Sequence, residues 1–151
     1  MKCIHLATAL VRREGFILLV ASRYPNHAQP LWNMPGGRQQ PGELLAQTAV
    51  RELHEETGLY GTAGELCYVS ESFDGPAHFI NTTFAVGAQG EIDLRRQPGD
   101  HVTGVEWTPL DAIGERIAVR VVREPLLAYL NASLPGYAGY AEAGVTIEFP
   151  D

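Results

Sequence analysis

The chain has 151 residues, one domain's worth, and a domain of this size buries about two thirds of the surface its unfolded chain exposes. Apolar residues at 45% and charged residues at 19% exclude a disordered polymer. The net charge of −7 argues against a nucleic-acid-binding surface, which would be basic. An anionic substrate would therefore be brought in by metal ions and a few local arginines.

Residues 3–11 and 16–21 are apolar at nearly every position and flank Arg12-Arg13-Glu14-Gly15, which predicts a hairpin of buried strands with a polar turn. The opening run around Ala7-Thr8-Ala9 faintly resembles a secretion signal. It is too short for one and is interrupted by His5 and Thr8. No segment approaches the roughly 20 apolar residues of a membrane span. Cys3 and Cys67 lack metal or redox spacing, so buried free thiols in a cytoplasmic setting are expected. Arg23 ends the second strand, and two prolines make 24–32 a loop.

A glycine-rich turn follows, Gly36-Gly37-Arg38-Gln39-Gln40-Pro41-Gly42, and opens into a helix predicted over 43–57 with Gly58 as its left-handed cap. The two glycines allow positive φ and a close approach to a ligand, and Pro41-Gly42 forces a second bend. At about 100° per residue, Leu45, Ala46, Ala49, Val50, Leu53 and Thr57 form one stripe fit to bury on a sheet. Glu52, Glu55 and Glu56 fall together on another face. Like charges at these spacings repel by a few tenths of a kcal/mol per pair. Mg²⁺ or Mn²⁺ would remove that conflict, since hard cations take oxygen ligands.

Beyond the helix, 65–73 and 78–86 predict a second antiparallel pair around Asp74-Gly75-Pro76. A long polar connection, 88–100, leads to a strand at 102–107. A helix is expected at 119–130, with Pro125 interrupting it or setting its first turn. From 132 the composition shifts to Gly, Ala, Tyr and Pro, with 145–149 as a final strand. Tyr137, Tyr140, Val145, Ile147 and Phe149 would be left exposed by a mere tail. Residues 132–151 are therefore expected to be an accessory segment of the single domain 1–151, covering a sheet edge or serving a homodimer contact.

Gly37, Glu43, Arg51-Glu52-Leu53, Glu55-Glu56 and Gly58-Leu59, separated by five, seven, one and one residues, resemble the complete signature of the Nudix hydrolases, and Trp32-Asn33-Met34-Pro35 resembles the family's approach to it. The resemblance implies an α+β fold, a mixed sheet sandwiched between helices. It also implies hydrolysis of a nucleoside diphosphate linked to another group: a nucleoside triphosphate, a nucleotide sugar or an ADP-ribose type. Glu52, Glu55 and Glu56 resemble the family's metal-binding glutamates, with the Gly36 carbonyl as a further ligand, and Arg51 resembles the arginine that pairs with Glu43. Glu52 is the first choice of general base. Arg23, Trp32 and Asp100 are expected to face the substrate.

The proline that ADP-ribose-cleaving members carry past the signature is replaced by Asp74, and Gly75, Pro76 and Ala77 occupy the region of the tyrosine in dinucleoside polyphosphate enzymes. A nucleoside triphosphate or a nucleotide sugar stays open. The alternative is a silent nucleotide-binding or sensor module of the same fold. Such modules lose a signature glutamate, and none is lost here.

Overall fold

A computed structural model describes residues 2–96, 101–133 and 136–147, with the Arg96 side chain excepted. Two sheets carry the fold. The larger is mixed, in the order β5-β1-β7-β6-β9, built from β1 (Lys2–Leu10), β5 (Gly36–Arg38), β6 (Tyr60–Asp74), β7 (Ala77–Gln89) and β9 (Tyr137–Tyr140). Strands β1 and β7 pair in parallel, as do β6 and β9, and the other pairs are antiparallel. In the smaller sheet β3 (Phe16–Ser22) is central, with β8 (Val102–Pro109) along one side and β2 (Arg12–Arg13) and β4 (Leu31–Asn33) on the other.

Helices cover both faces. On one side α1 (Leu45–Thr57) packs Ala49 and Leu53 against Ala7, Ala9, Val11, Leu18 and Val86. On the other, α2 (Ile113–Arg116) and α3 (Arg120–Leu130) pack Ile113 and Leu126 with Leu10, Ile17, Leu19 and Met34. Alternate residues of a strand face opposite ways. Strand β3 therefore sends Leu18 to the first core and Ile17 and Leu19 to the second, which is why its sequence reads as continuously apolar.

Several expectations are corrected. The first two apolar runs do not form a hairpin: β1 pairs with β5 and β7, and only the two residues of β2 fold back on β3. The turn at Glu14 and Gly15, both at positive φ, joins β2 to β3 within the smaller sheet, and the chain passes from one sheet to the other at Val11, between β1 and β2. Gly36 and Gly37 form strand β5 rather than a turn, and the positive φ falls on Gly42. Pro125 lies inside α3, buried, and α3 forgoes one backbone bond there. The last strand is Tyr137–Tyr140, laid in parallel on the edge of β6, whereas 145–147 is irregular and Phe149 lies outside the described residues. Cys3 is exposed, and Cys67 is half-buried at the margin of the second core. Among the described residues no helix is long and apolar enough to cross a membrane.

Candidate active site

Loop and helix are tied together by one carboxylate. Glu43 accepts hydrogen bonds from the Gln40 backbone N–H, the Thr48 hydroxyl at 2.7 Å, and the Arg51 guanidinium through Nε at 2.7 Å and NH2 at 3.1 Å. Arg51, first of all, holds the Glu43 carboxyl down at about 2. The same guanidinium donates to the Arg38 carbonyl and reaches Glu52 and Glu55, both at 3.0 Å. The like-charge conflict on the helix is thus partly relieved by Arg51, a cation supplied by the same helix. At the other end Gly58, φ 85°, donates to the His54 carbonyl, and a Cβ there would meet Asp93. His54, on another face of the helix, stacks on Tyr60.

The three glutamates are not equivalent. Glu55 is 48% exposed at the outer rim. Glu52 is 15% exposed, with its carboxylate directly against Gly37 where a Cβ would fall. That close approach, not backbone strain, is what Gly37 supplies. Glu56 is 4% exposed and accepts a hydrogen bond from the Gly36 N–H at 3.1 Å. Burial pushes the Glu52 carboxyl up to about 7, with Arg51 offsetting only part of the effect. Glu56 is raised well above the carboxylate range by burial and then by the Glu52 charge.

Glu52 and Glu56 line a cleft of about 350 Å³ with Tyr24, Arg38, Arg51 and His101. His101 Nε2 lies 4.0 Å from Glu56, and the His101 carbonyl accepts from the Arg23 N–H. In the β1–β5 ladder Ala9 N–H bonds the Pro35 carbonyl and Gln39 N–H bonds the His5 carbonyl. Because bonding alternates along an antiparallel pair, the Gly36 backbone groups turn away from β1, and its N–H reaches Glu56. Two buried carboxylates of high proton affinity and an outward backbone carbonyl are a donor set suited to a hard cation. Among the described residues no three acidic or imidazole side chains close on one point, so substrate oxygens and water would complete the shell.

Arg23 and Trp32 are not brought into this cleft. Arg23 is exposed, its backbone tied to His101. Trp32 packs against the second core and lies under the Arg116 guanidinium, 5.2 Å from the ring centre, which Glu106 holds from behind. Asp100 lies outside the described residues. Sequence reasoning missed Tyr24 and Asn33, which line the cleft. A polar residue three places before a double glycine is the one signal that could have found Asn33.

The family model described as NUDIX domain matches residues 4–130. The chain is similar to a CTP pyrophosphohydrolase of Escherichia coli, 40% identical over 65 residues, or 43% of this chain and 48% of that protein. It is also similar to a putative 8-oxo-dGTP diphosphatase of Bacillus subtilis, 62% identical over 80 residues, 52% of this chain and 50% of that one. The match thus spans about half the length of these curated relatives. Among solved structures, a NUDIX hydrolase from Nitrosomonas europaea superposes with a TM-score of 0.77 at 21% identity, covering 87% of this chain and 91% of that one. The E. coli ORF135 protein does so with a TM-score of 0.72 at 28% identity, with the same coverage.

Proposed function

Since the chain belongs to the NUDIX family, we propose that it is a divalent-metal-dependent pyrophosphohydrolase that splits a nucleoside triphosphate with water into the nucleoside monophosphate and pyrophosphate. One observation carries the reading: Glu52 and Glu56 share a cleft with the Gly36 backbone at the end of a helix that Arg51 and Glu43 lock to its loop. Glu52, Glu56, the Gly36 carbonyl and, once released from Arg51, Glu55 would hold the Mg²⁺ or Mn²⁺. When bound, such an ion neutralises phosphoryl charge and lowers the pKa of water.

The chain's own residues do the rest. Glu52 is the base, because its carboxylate lines the cleft at only 15% exposure, where it can take a proton from a water at the phosphoryl group. Arg51 keeps the Glu52 carboxylate oriented, and Glu43 keeps Arg51 in place. Names of relatives that act on CTP and 8-oxo-dGTP support a triphosphate over a nucleotide sugar. Incubating nucleoside triphosphates, nucleotide sugars and ADP-ribose with Mg²⁺ and assaying monophosphate and pyrophosphate tests this. A triphosphate is expected to be hydrolysed and excess chelator to stop it; turnover that survives chelator, or no triphosphate hydrolysed at all, overturns the reading.

A further inference from the structure

Next to the acidic cleft lies a second, more enclosed cavity of about 130 Å³, and the two share Tyr24, Asn33, Gly36 and Gly37. Its inner walls are mainly apolar, with Leu6 of β1, Phe79 of β7, and Val119 and Val122 at the start of α3, and Ser70, Ser72 and Asp74 of β6 set beside them. Its outer wall is Ala143, Val145 and Ile147, alternate residues of the segment after β9.

That segment is held as a strap across the opening. Ala143 N–H bonds the Phe73 carbonyl at 2.8 Å. The Thr146 hydroxyl donates to Asp74 at 3.0 Å, while the Thr146 carbonyl accepts from Asn26 Nδ2 at 2.5 Å and from His27 Nε2 at 2.8 Å. Asp74 ends β6, and Asn26 and His27 lie in the loop after β3, so the strap bridges the two elements that flank the cavity. All of it falls beyond residues 4–130, where the family match ends.

We propose that residues 143–147 form the outer wall of the site for the substrate's nucleobase and set which base is accepted. The inference rests on the hydrolase reading for the identity of the substrate. With the phosphates at Glu52 and Glu56, the other end of the same molecule lies in the cavity that opens from the cleft. At about 130 Å³ the cavity is well under the ~300 Å³ from which drug-sized ligand pockets run, and it suits one ring system rather than a second nucleoside. Two apolar walls suit the faces of a planar heterocycle. Among the polar groups that line it, Asn81 is fixed by the Thr8 hydroxyl, which donates to its Oδ1 at 2.8 Å and leaves the amide hydrogens for an acceptor on the ring.

The test uses the full chain and two variants, with folding checked by thermal melts. Val145→Trp fills the cavity. KM for the preferred nucleoside triphosphate should rise by about ten-fold or more, the scale of a remodelled apolar pocket, with the loss falling on KM rather than kcat. Binding of the nucleoside monophosphate, followed by NMR titration without turnover, should weaken in parallel. Thr146→Ala loosens the strap without filling the pocket, and should shrink the spread of kcat/KM across the four bases. Should Val145→Trp melt the domain, Thr146→Ala still decides: an unchanged spread overturns the proposal. So does a folded Val145→Trp with unaltered KM and monophosphate binding. If the wild type hydrolyses no triphosphate yet Val145→Trp abolishes monophosphate binding, the base site stands and the hydrolase reading falls.

Discussion

Glu52 concentrates the conflict between folding and chemistry. Its carboxyl titrates at about 7 in the folded chain because burial penalises the charge, and near 4.3 in an unfolded one. Between those values the unfolded state binds fewer protons, so stability falls as pH rises. The penalty is absent below about pH 4 and complete above about 7, where it amounts to roughly 4 kcal/mol at 1.36 kcal/mol per pKa unit. Glu52→Gln removes it. In the absence of divalent cations the variant should melt higher than wild type at pH 8 and much closer to it at pH 5, and with Mg²⁺ present its turnover should fall at least ~10²-fold, the low end for a general base. Equal melting curves at pH 8 would show that the carboxylate carries no burial penalty. Gly37 tests the same contact from the other side. A methyl there falls on the Glu52 carboxylate, whereas nothing lies within 4 Å of a Cβ at Gly87. Gly37→Ala should lose most activity while keeping its far-ultraviolet dichroism, and Gly87→Ala should keep both.

The loop and α1 behave as one element because Glu43 and Arg51 join them. Glu43 is held at about 2 by Arg51, so its contribution is present above about 4.3 and is lost as pH falls through 2. Glu43→Gln should cost about 1.5–3 kcal/mol at pH 7, the range for a hydrogen bond to a charged group. Hydrogen exchange should quicken at Gln40, whose amide the carboxylate holds; a variant with wild-type exchange there would mean that the loop stands without the pair. This element was largely legible in the sequence. Burial on one helix face recurs every 3.6 residues, and Gly42 and Gly58 mark its ends with conformations that other residues resist. Partner choice between strands was not legible. Apolar runs such as β1 and β3 look alike, and only distant residues decide that β1 joins β7 and β3 joins β8. The surroundings of Trp32 were hidden for the same reason, since the Arg116 that covers it lies far along the chain. The strap was hidden as well, because the alternation of Ala143, Val145 and Ile147 suits a strand equally well.

Whether a cation at the cleft steadies one helix or the whole domain depends on how the two cores are coupled. Leu18 belongs to the α1 core and its neighbours Ile17 and Leu19 to the other, so β3 cannot leave one without disrupting both. A domain of this size then unfolds as a unit, and ligand energy at α1 appears in the global transition. A site half-saturated at ~1 mM would contribute about 1.4 kcal/mol in 10 mM Mg²⁺. Protons compete for the same carboxylates, since Glu52 and Glu56 both have raised pKa values. The stabilisation should therefore be nearly full at pH 8 and small at pH 5.5. Trp32 and Trp107 report on this from the smaller sheet, in β4 and β8. Their fluorescence midpoint should rise with Mg²⁺ at pH 8 by the same amount as the dichroism midpoint, which is weighted toward the helices. A dichroism shift that leaves the tryptophan transition unmoved would mean that the cores melt separately and the metal holds only α1.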